Sequence, residues 1–339
     1  MTQARLPIMP APKQRYDLLH KRLEQFTRML HGLEKGDAQA LHRTRIASRR
    51  LREVLPILQL DAEVTRKLSR RLRKVTRRLG TIRELDVSLL LIDGLRQSGR
   101  HSEGSLSRLA AAASGERAEQ RERLLAKLPT AELHRIADKL DRIARRLKAN
   151  EHSSSARGRS GTRSWRWAVE ARLTRRASAL ASAVRDAGAV YLPERLHAVR
   201  IALKKLRYAV EVSTEIALAP AARASIASLR AAQRERAGVG PREPRKKTNP
   251  DLRTLKHGQD VLGRLHDVQL LIDRVRQTQA PPTPLDIAAR REFAALVTSL
   301  ENDCRRLHAR YMRARSALLA ICDRVGARPV SSAVRRRAG

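Results

Sequence analysis

Residues 41–52 read LHRTRIASRRLR and residues 196–207 read LHAVRIALKKLR, so one basic segment occurs twice in the chain. Most of its positions are identical, and Arg49 and Arg50 of the first copy are matched by Lys204 and Lys205 of the second. A second pair follows in the same order, LGTIRELDVSLL at 79–90 and LGRLHDVQLL at 262–271. Repeats in the same order indicate two similar structural units, and we expect a pseudo-twofold axis to relate them.

Helical periodicity extends over almost the whole chain. Apolar residues recur three and four positions apart, strand-like alternation is absent, and Gly and Pro cluster at a few breaks, which predicts an all-α fold. Asp37 and Asp61 are candidate N-caps. Gly80 and Pro129 are candidate helix ends, and Pro56 should kink or end its own helix. The predicted helices of the first half cover 13–34, 38–59, 62–80, 84–98, 105–128 and 130–149.

The composition changes at a few places that divide the chain. Residues 1–150 form a predicted first helical half, a Ser-, Gly- and Arg-rich linker covers 151–163, and residues 164–328 form a second half. A basic, Pro-rich insertion at 238–250 interrupts the second half. A shorter break at 280–284 precedes a last helix, which should end near residue 325. We expect residues 329–339 to form a disordered tail.

The chain is strongly basic. Lys and Arg total 72 against 34 Asp and Glu, a formal net charge of +38 at pH 7, and both halves share the excess. Such self-repulsion is better tolerated when a polyanion neutralises it. Arg (59) greatly outnumbers Lys (13), which suits forked hydrogen bonding to phosphate oxygens, although a biased genome composition explains an Arg excess equally well. The charge balance predicts an acidic partner.

Aromatic residues are scarce. The chain contains two Trp, four Tyr and two Phe, scattered over its length. Proteins that hold single-stranded nucleic acids usually stack the bases on aromatic rings. The scarcity of rings therefore favours a polyanion that carries no bases.

The two cysteines, Cys304 and Cys322, fall on one predicted helix, which would separate them by about 27 Å. We therefore expect free thiols. No stretch has the apolar core of a signal peptide or the length of a membrane span. These features predict a cytoplasmic protein that does not interact with membranes. The sequence carries no indication of an oligomeric state.

The repeated segment places its cations on one side of a helix. At about 100° per residue, the first copy brings one His and three Arg within roughly a quarter of the helix circumference. The leucines of the segment form an apolar seam beside this stripe, so the stripe should border the core and line a groove. The stripe consists of His42, Arg45, Arg49 and Arg52 in the first copy and of His197, Arg200, Lys204 and Arg207 in the second.

The helix that follows the first copy is almost continuously basic. Only the face of Leu68 and Leu72 is apolar, and the Arg and Lys positions between 66 and 78 occupy the rest. A run of charge is usually a solvated face, as in the mixed-charge helices of residues 103–148. Here the lack of compensating acids and the recurrence of the stripe argue for an anion-binding surface instead.

Both copies resemble the hallmark of the CHAD (conserved histidine α-helical domain) family, a His-x-x-Arg-(Ile/Val)-x-x-(Arg/Lys)-(Arg/Lys)-Leu-Arg helix in each of two halves. Here it reads HRTRIASRRLR from His42 and HAVRIALKKLR from His197. The family's second element resembles Arg83 to Val87, with a partner at 262–268, and the insertion at 238–250 departs from the family pattern. The resemblance implies two antiparallel four-helix-bundle-like halves around a basic central cavity, polyphosphate binding, and association with polyphosphate granules.

We predict a stand-alone polyphosphate-binding protein that is not an enzyme and uses no cofactor or metal. No P-loop or other catalytic motif is present, and the single dipeptide His266-Asp267 is too common to indicate a phosphohydrolase. A nonspecific nucleic-acid-binding protein is the main alternative, and a polyphosphate-processing enzyme a weaker one. His42 and His197 either are structural or contact phosphate. The candidate phosphate-binding residues are His42, Arg45, Arg49, Arg50, Arg52, Arg70, Arg73, Lys74, Arg77, Arg83, His197, Arg200, Lys204, Lys205, Arg207 and Lys256.

Overall fold

The computed structural model describes residues 14–127, 130–154, 160–235, 249–279 and 286–326. This part of the chain is almost entirely helical and contains no strand, which confirms the predicted all-α fold. The helices are α1 (Gln14–Thr27), α2 (Leu30–Glu34), α3 (Ala38–Val54), α4 (Ala62–Ser98), α5 (Glu103–Lys127), α6 (Thr130–Ser154), α7 (Ser160–Ala187), α8 (Pro193–Glu235), α9 (Pro250–Thr278) and α10 (Ile287–Gly326), with a 3₁₀ turn at Leu55–Ile57.

Helices α3 and α4 begin where the sequence predicts. The Asp37 carboxylate accepts hydrogen bonds from the backbone N–H groups of Gln39 and Ala40 and so caps α3. Asp61 caps α4 in the same way. Both caps satisfy backbone donors that the helix itself leaves without a partner. At the other end, α3 stops at Val54 and Pro56 lies in the 3₁₀ turn, so the prediction for this proline is also confirmed.

The prediction that a helix ends at Gly80 is wrong. α4 continues through this glycine and ends at Ser98, with Gly99 in the left-handed conformation at φ 63°. Leu79 and Ile82 on either side of Gly80 are buried in the core, and their packing outweighs the cost of about 1 kcal/mol for a glycine inside a helix. The two predicted helices 62–80 and 84–98 are therefore one.

Three further boundaries differ from the predictions. The helix expected over 13–34 is divided, because α1 ends at Thr27 and α2 begins at Leu30. Both ends of the predicted linker 151–163 are helical, since α6 runs to Ser154 and α7 begins at Ser160, and residues 155–159 lie outside the described residues. The polar composition of this range predicts a flexible linker. Extending an existing helix by a few polar residues, however, costs little free energy.

Some predicted features fall outside the described residues. These are Pro129, most of the insertion at 238–250, the break at 280–284 and the tail at 329–339. α9 begins at Pro250 with Asn249 as its N-cap, and α10 ends at Gly326, close to the predicted end. Cys304 and Cys322 are both buried on α10 and free, as predicted. In the described part of the chain, no helix is both long enough and apolar enough to cross a bilayer.

Helix packing brings the repeated segments together. α3 packs on α4, α7 packs on α8, and α8 and α10 both pack on α9. Contacts between α3 and α8 and between α4 and α9 join the two sets. One continuous apolar cluster therefore contains Leu51 and Leu72 together with Leu203 and Leu262. The two copies of the basic segment, on α3 and α8, lie beside each other over this core.

Candidate functional site

A basic cleft lies where α3, α4, α8 and α9 meet. Its volume is about 620 Å³, within the range of ligand-binding pockets in proteins. Eight Arg and Lys side chains line it against two carboxylates. The lining consists of Arg45, Arg49, Arg52, Glu53, Arg73, Thr76, Arg77, Gly80, Thr81, Glu84, His197, Arg200, Ile201, Lys204, Lys205, Tyr208 and His266.

The first copy of the repeat supplies one wall. Arg45, Arg49 and Arg52 are spaced so that they share one side of α3. Thr44 and Leu51 on the neighbouring side are fully buried. The stripe therefore borders the core, as the periodicity predicts, and all three arginines line the cleft.

The second copy supplies the opposite wall, from α8. His197, Arg200, Lys204 and Lys205 all line the cleft. Arg200 lies 3.8 Å from Asp267 of α9, measured between Nη2 and Oδ1. The two walls together contain cations from both repeats.

Two predicted residues pair with a carboxylate outside this lining. The Arg207 guanidinium donates to Glu211 at 2.6 Å and to Gln259 at 2.8 Å. Arg50 lies 3.7 Å from the same Glu211 carboxylate. Glu211 therefore joins α3 to α8 through Arg50 and pairs with Arg207 within α8. Neither arginine lines the cleft.

Of the predicted residues on α4 and α9, some line the cleft and others lie outside it. Arg73 and Arg77 line the cleft. Arg70 and Lys74 are exposed on α4 outside the lining, and Lys256 is exposed on α9. The structure thus brings together nine of the sixteen candidates, which are Arg45, Arg49, Arg52, Arg73, Arg77, His197, Arg200, Lys204 and Lys205.

His42 and Arg83 line a different pocket. This second pocket, of about 540 Å³, lies on the side of α3 and α4 that faces α5. It also contains Asp86, which accepts a hydrogen bond from Arg117 at 2.6 Å. The His42 Nδ1 atom is buried and has no hydrogen-bond partner among the described residues. The two repeated histidines therefore lie in different cavities.

The cations in the cleft repel one another. Burial, followed by the charges of Arg200, Arg49 and Arg45, lowers the pKa of Lys204 to about 7. Burial and the neighbouring Arg49 lower the pKa of Arg45 to about 10. The buried Nε–H group of Arg45 also has no acceptor among the described residues. An anion in the cleft would relieve both the repulsion and the missing hydrogen bond.

One of the two carboxylates of the cleft is already neutralised. Glu53 is buried, and its carboxylate accepts hydrogen bonds from Arg172 at 2.6 Å and from Arg176 at 3.2 Å, both on α7. The sequence analysis missed these arginines, because nothing in the mixed composition of α7 marks them. Their pairing with Glu53 leaves the positive charge of the cleft largely uncompensated.

His266 is another lining residue that the prediction missed. Its Nδ1 lies 3.4 Å from Nδ1 of His197, and burial, followed by the charge of Arg200, lowers its pKa to about 3. Its position inside the second copy of the Leu-Gly element, at 262–271, was the available signal. Among the described residues, no three His, Cys, Asp or Glu side chains are grouped as a metal site requires.

These features define an all-α protein whose repeated basic helices enclose a cation-lined cleft. The sequence model of the CHAD domain matches residues 17–238. The chain therefore belongs to the CHAD domain family. The matched region runs from within α1 to beyond the end of α8 and contains both copies of the His-x-x-Arg segment.

Two solved structures share the fold. PptA from Streptomyces chartreusis superposes with a TM-score of 0.58 at 17% sequence identity, over 90% of this chain and 99% of PptA. The crystal structure of the CHAD domain from the plant Ricinus communis superposes with a TM-score of 0.54 at 18% identity, over 97% of this chain and 99% of that domain. A comparison with curated proteins finds no match.

Proposed function

We propose that this protein binds inorganic polyphosphate in the basic cleft. The observation that carries the proposal is the convergence of eight cations from three helices on one cavity whose lining holds only two carboxylates, one of which, Glu53, is already paired with arginines of α7. A chain of phosphates offers one charge per internal unit and no other feature to recognise, so closely spaced cations suffice as a receptor. Membership of the CHAD domain family supports the same ligand.

The lining favours a polyanion without bases over a nucleic acid. Its one aromatic ring, Tyr208, is 7% exposed and is covered on one face by the Arg207 guanidinium. Successive bases would find no stacking surface there. If duplex DNA displaces long-chain polyphosphate at an equal phosphate concentration, the nucleic-acid alternative is preferred.

A charge-matched pair of triple variants tests the site. Arg45→Ala, Arg49→Ala and Arg200→Ala together remove three cations of the cleft, and each contact is a charge-assisted hydrogen bond. We expect the affinity for polyphosphate to fall at least about 100-fold. The control carries Ala at Arg121, Arg123 and Arg142, which are exposed on α5 and α6, and should lose less than about ten-fold. Equal losses would show that diffuse charge does the binding.

We further propose that the protein is a binding protein and not an enzyme. The measurement is phosphate release from polyphosphate incubated with the protein and Mg²⁺. Turnover that the triple cleft variant abolishes would instead support a polyphosphate-processing enzyme.

The proposed ligand also implies a cellular location. A cytoplasmic polyphosphate-binding protein would accumulate at polyphosphate granules. A fluorescent fusion tests this, because the triple cleft variant should lose the granule signal while the charge-matched control keeps it.

A further inference from the structure

The cleft continues on one side as an open row of arginines along α4. Arg66, Arg70, Arg73 and Arg77 are spaced by four, three and four residues, so they share one side of the helix. Arg73 and Arg77 line the cleft. Arg70 and Arg66 lie one and two turns beyond it toward the start of α4, and both are exposed. From Arg66 to Arg77 the row extends about 16 Å along the helix axis.

The outer part of this row is not neutralised by ion pairs. Within the described residues, Arg66 and Arg70 form no salt bridge. Arg66 lies near the Asp61 carboxylate, which already accepts the two cap hydrogen bonds of α4. The other nearby acid, Glu63, pairs at 2.5 Å with Lys67 on a different side of the helix. The row therefore offers free cations in register with those of the cleft.

We propose that Arg66 and Arg70 form an outer subsite for the same polyphosphate chain, so that a linear chain longer than the cleft leaves it past Arg73 and continues along α4. This inference rests on the proposed function and specifies its ligand further. A short or compact phosphate polyanion occupies the cleft alone, whereas a long linear chain contacts both the cleft and the outer subsite. The protein should therefore discriminate by chain length.

The test compares two double variants of α4 with equal loss of charge. Arg66→Ala with Arg70→Ala removes the outer subsite. Lys67→Ala with Arg71→Ala removes two exposed cations from the same turns but from a different side of the helix. Binding of tripolyphosphate and of a long polyphosphate is measured as a function of salt concentration.

We expect the outer-subsite variant to bind the long polyphosphate about five-fold more weakly than the wild type, as for two exposed charge contacts. The slope of log K against log salt should become shallower by about 1.4, because two phosphate contacts are lost. The affinity of the outer-subsite variant for tripolyphosphate should change by less than about two-fold. The Lys67/Arg71 variant should bind both ligands within about two-fold of the wild type.

Three results would overturn the outer subsite. These are equal losses in the two double variants, an equal loss for tripolyphosphate, and no change with the long chain. None of them affects the proposed function, which fails separately if the wild type binds neither ligand or if the triple cleft variant binds as well as the wild type.

Discussion

Lys204 makes a specific prediction about pH. It lies in the cleft between Arg200 and the arginines of α3, and its pKa is lowered to about 7 by burial and by these neighbouring charges, with Asp267 acting in the opposite direction. The negative charges of a bound polyphosphate would stabilise the protonated amine of Lys204 and so raise its pKa. Binding should therefore be accompanied by uptake of a proton at Lys204.

The sign and size of the effect follow from linkage. The complex holds the proton more tightly than the free protein, so the affinity must be higher at low pH. With a pKa near 7 in the free protein and near the ordinary value of about 10.4 in the complex, about nine-tenths of a proton is taken up at pH 8. Between pH 6 and pH 8 the affinity should fall about ten-fold.

Titration calorimetry at pH 8 in two buffers of different ionisation enthalpy measures the proton uptake directly. Lys204→Arg is the decisive variant, because guanidinium keeps the charge but does not titrate in this range. It should bind polyphosphate with proton uptake close to zero and with little change in affinity between pH 6 and pH 8. Burial lowers the pKa of His197 and of His266, so any uptake that remains in this variant comes from these rings. An uptake equal to that of the wild type would refute the role of Lys204.

Two further predictions concern stability. Glu53→Gln leaves Arg172 and Arg176 half-buried without a carboxylate, so it should lower the free energy of unfolding by about 3 kcal/mol, measured by denaturant unfolding. The control is Glu119→Gln, which breaks an exposed pair with Arg123. A smaller change in Glu53→Gln than in this control would contradict the prediction. Asp37→Ala removes the cap of α3 and should lower the free energy of unfolding by about 1 kcal/mol, and Asp37→Ser should restore it. The affinity of Asp37→Ala for polyphosphate should stay within about two-fold of wild type, since the cap lies two turns from Arg45. A larger loss of affinity would show that the cap contributes to binding.

The stripe on α3 could be predicted because it depends only on local geometry. A helix fixes the relative directions of Arg45, Arg49 and Arg52, and the buried seam beside them fixes which side faces the core. Arg50 could not be assigned in the same way. Whether it faces a cleft or a carboxylate depends on Glu211 of α8, and this pairing forms only when α3 and α8 pack together. Arg207 pairs with the same Glu211 within α8, at a spacing of four residues that the sequence itself contains.

The repeated segments predict the local structure of each half, but they do not predict which helices pack against each copy. His42 and His197 occupy the same position in the repeated segment, yet His197 lies beside His266 in the cleft and His42 lies in the second pocket. The aspartates that precede Val87 and Val268 differ in the same way, since Asp86 binds Arg117 of α5 and Asp267 lies near Arg200 of α8. Corresponding residues of the two copies therefore have different neighbours, because different helices pack against each copy.

The error at Gly80 concealed that Glu84 lies on the same side of α4 as the basic row. A helix that ended at Gly80 could turn freely relative to the next one, and residues on either side would share no fixed face. In the continuous α4, Arg66 and Glu84 lie on the same side, five turns apart, because each residue adds the same rotation. The glycine does not end the helix, since the buried Leu79 and Ile82 hold both flanks against the core. A Cβ at this position would lie 3.8 Å from the Arg45 guanidinium, an ordinary van der Waals contact, so close packing does not require a glycine in this part of the cleft wall.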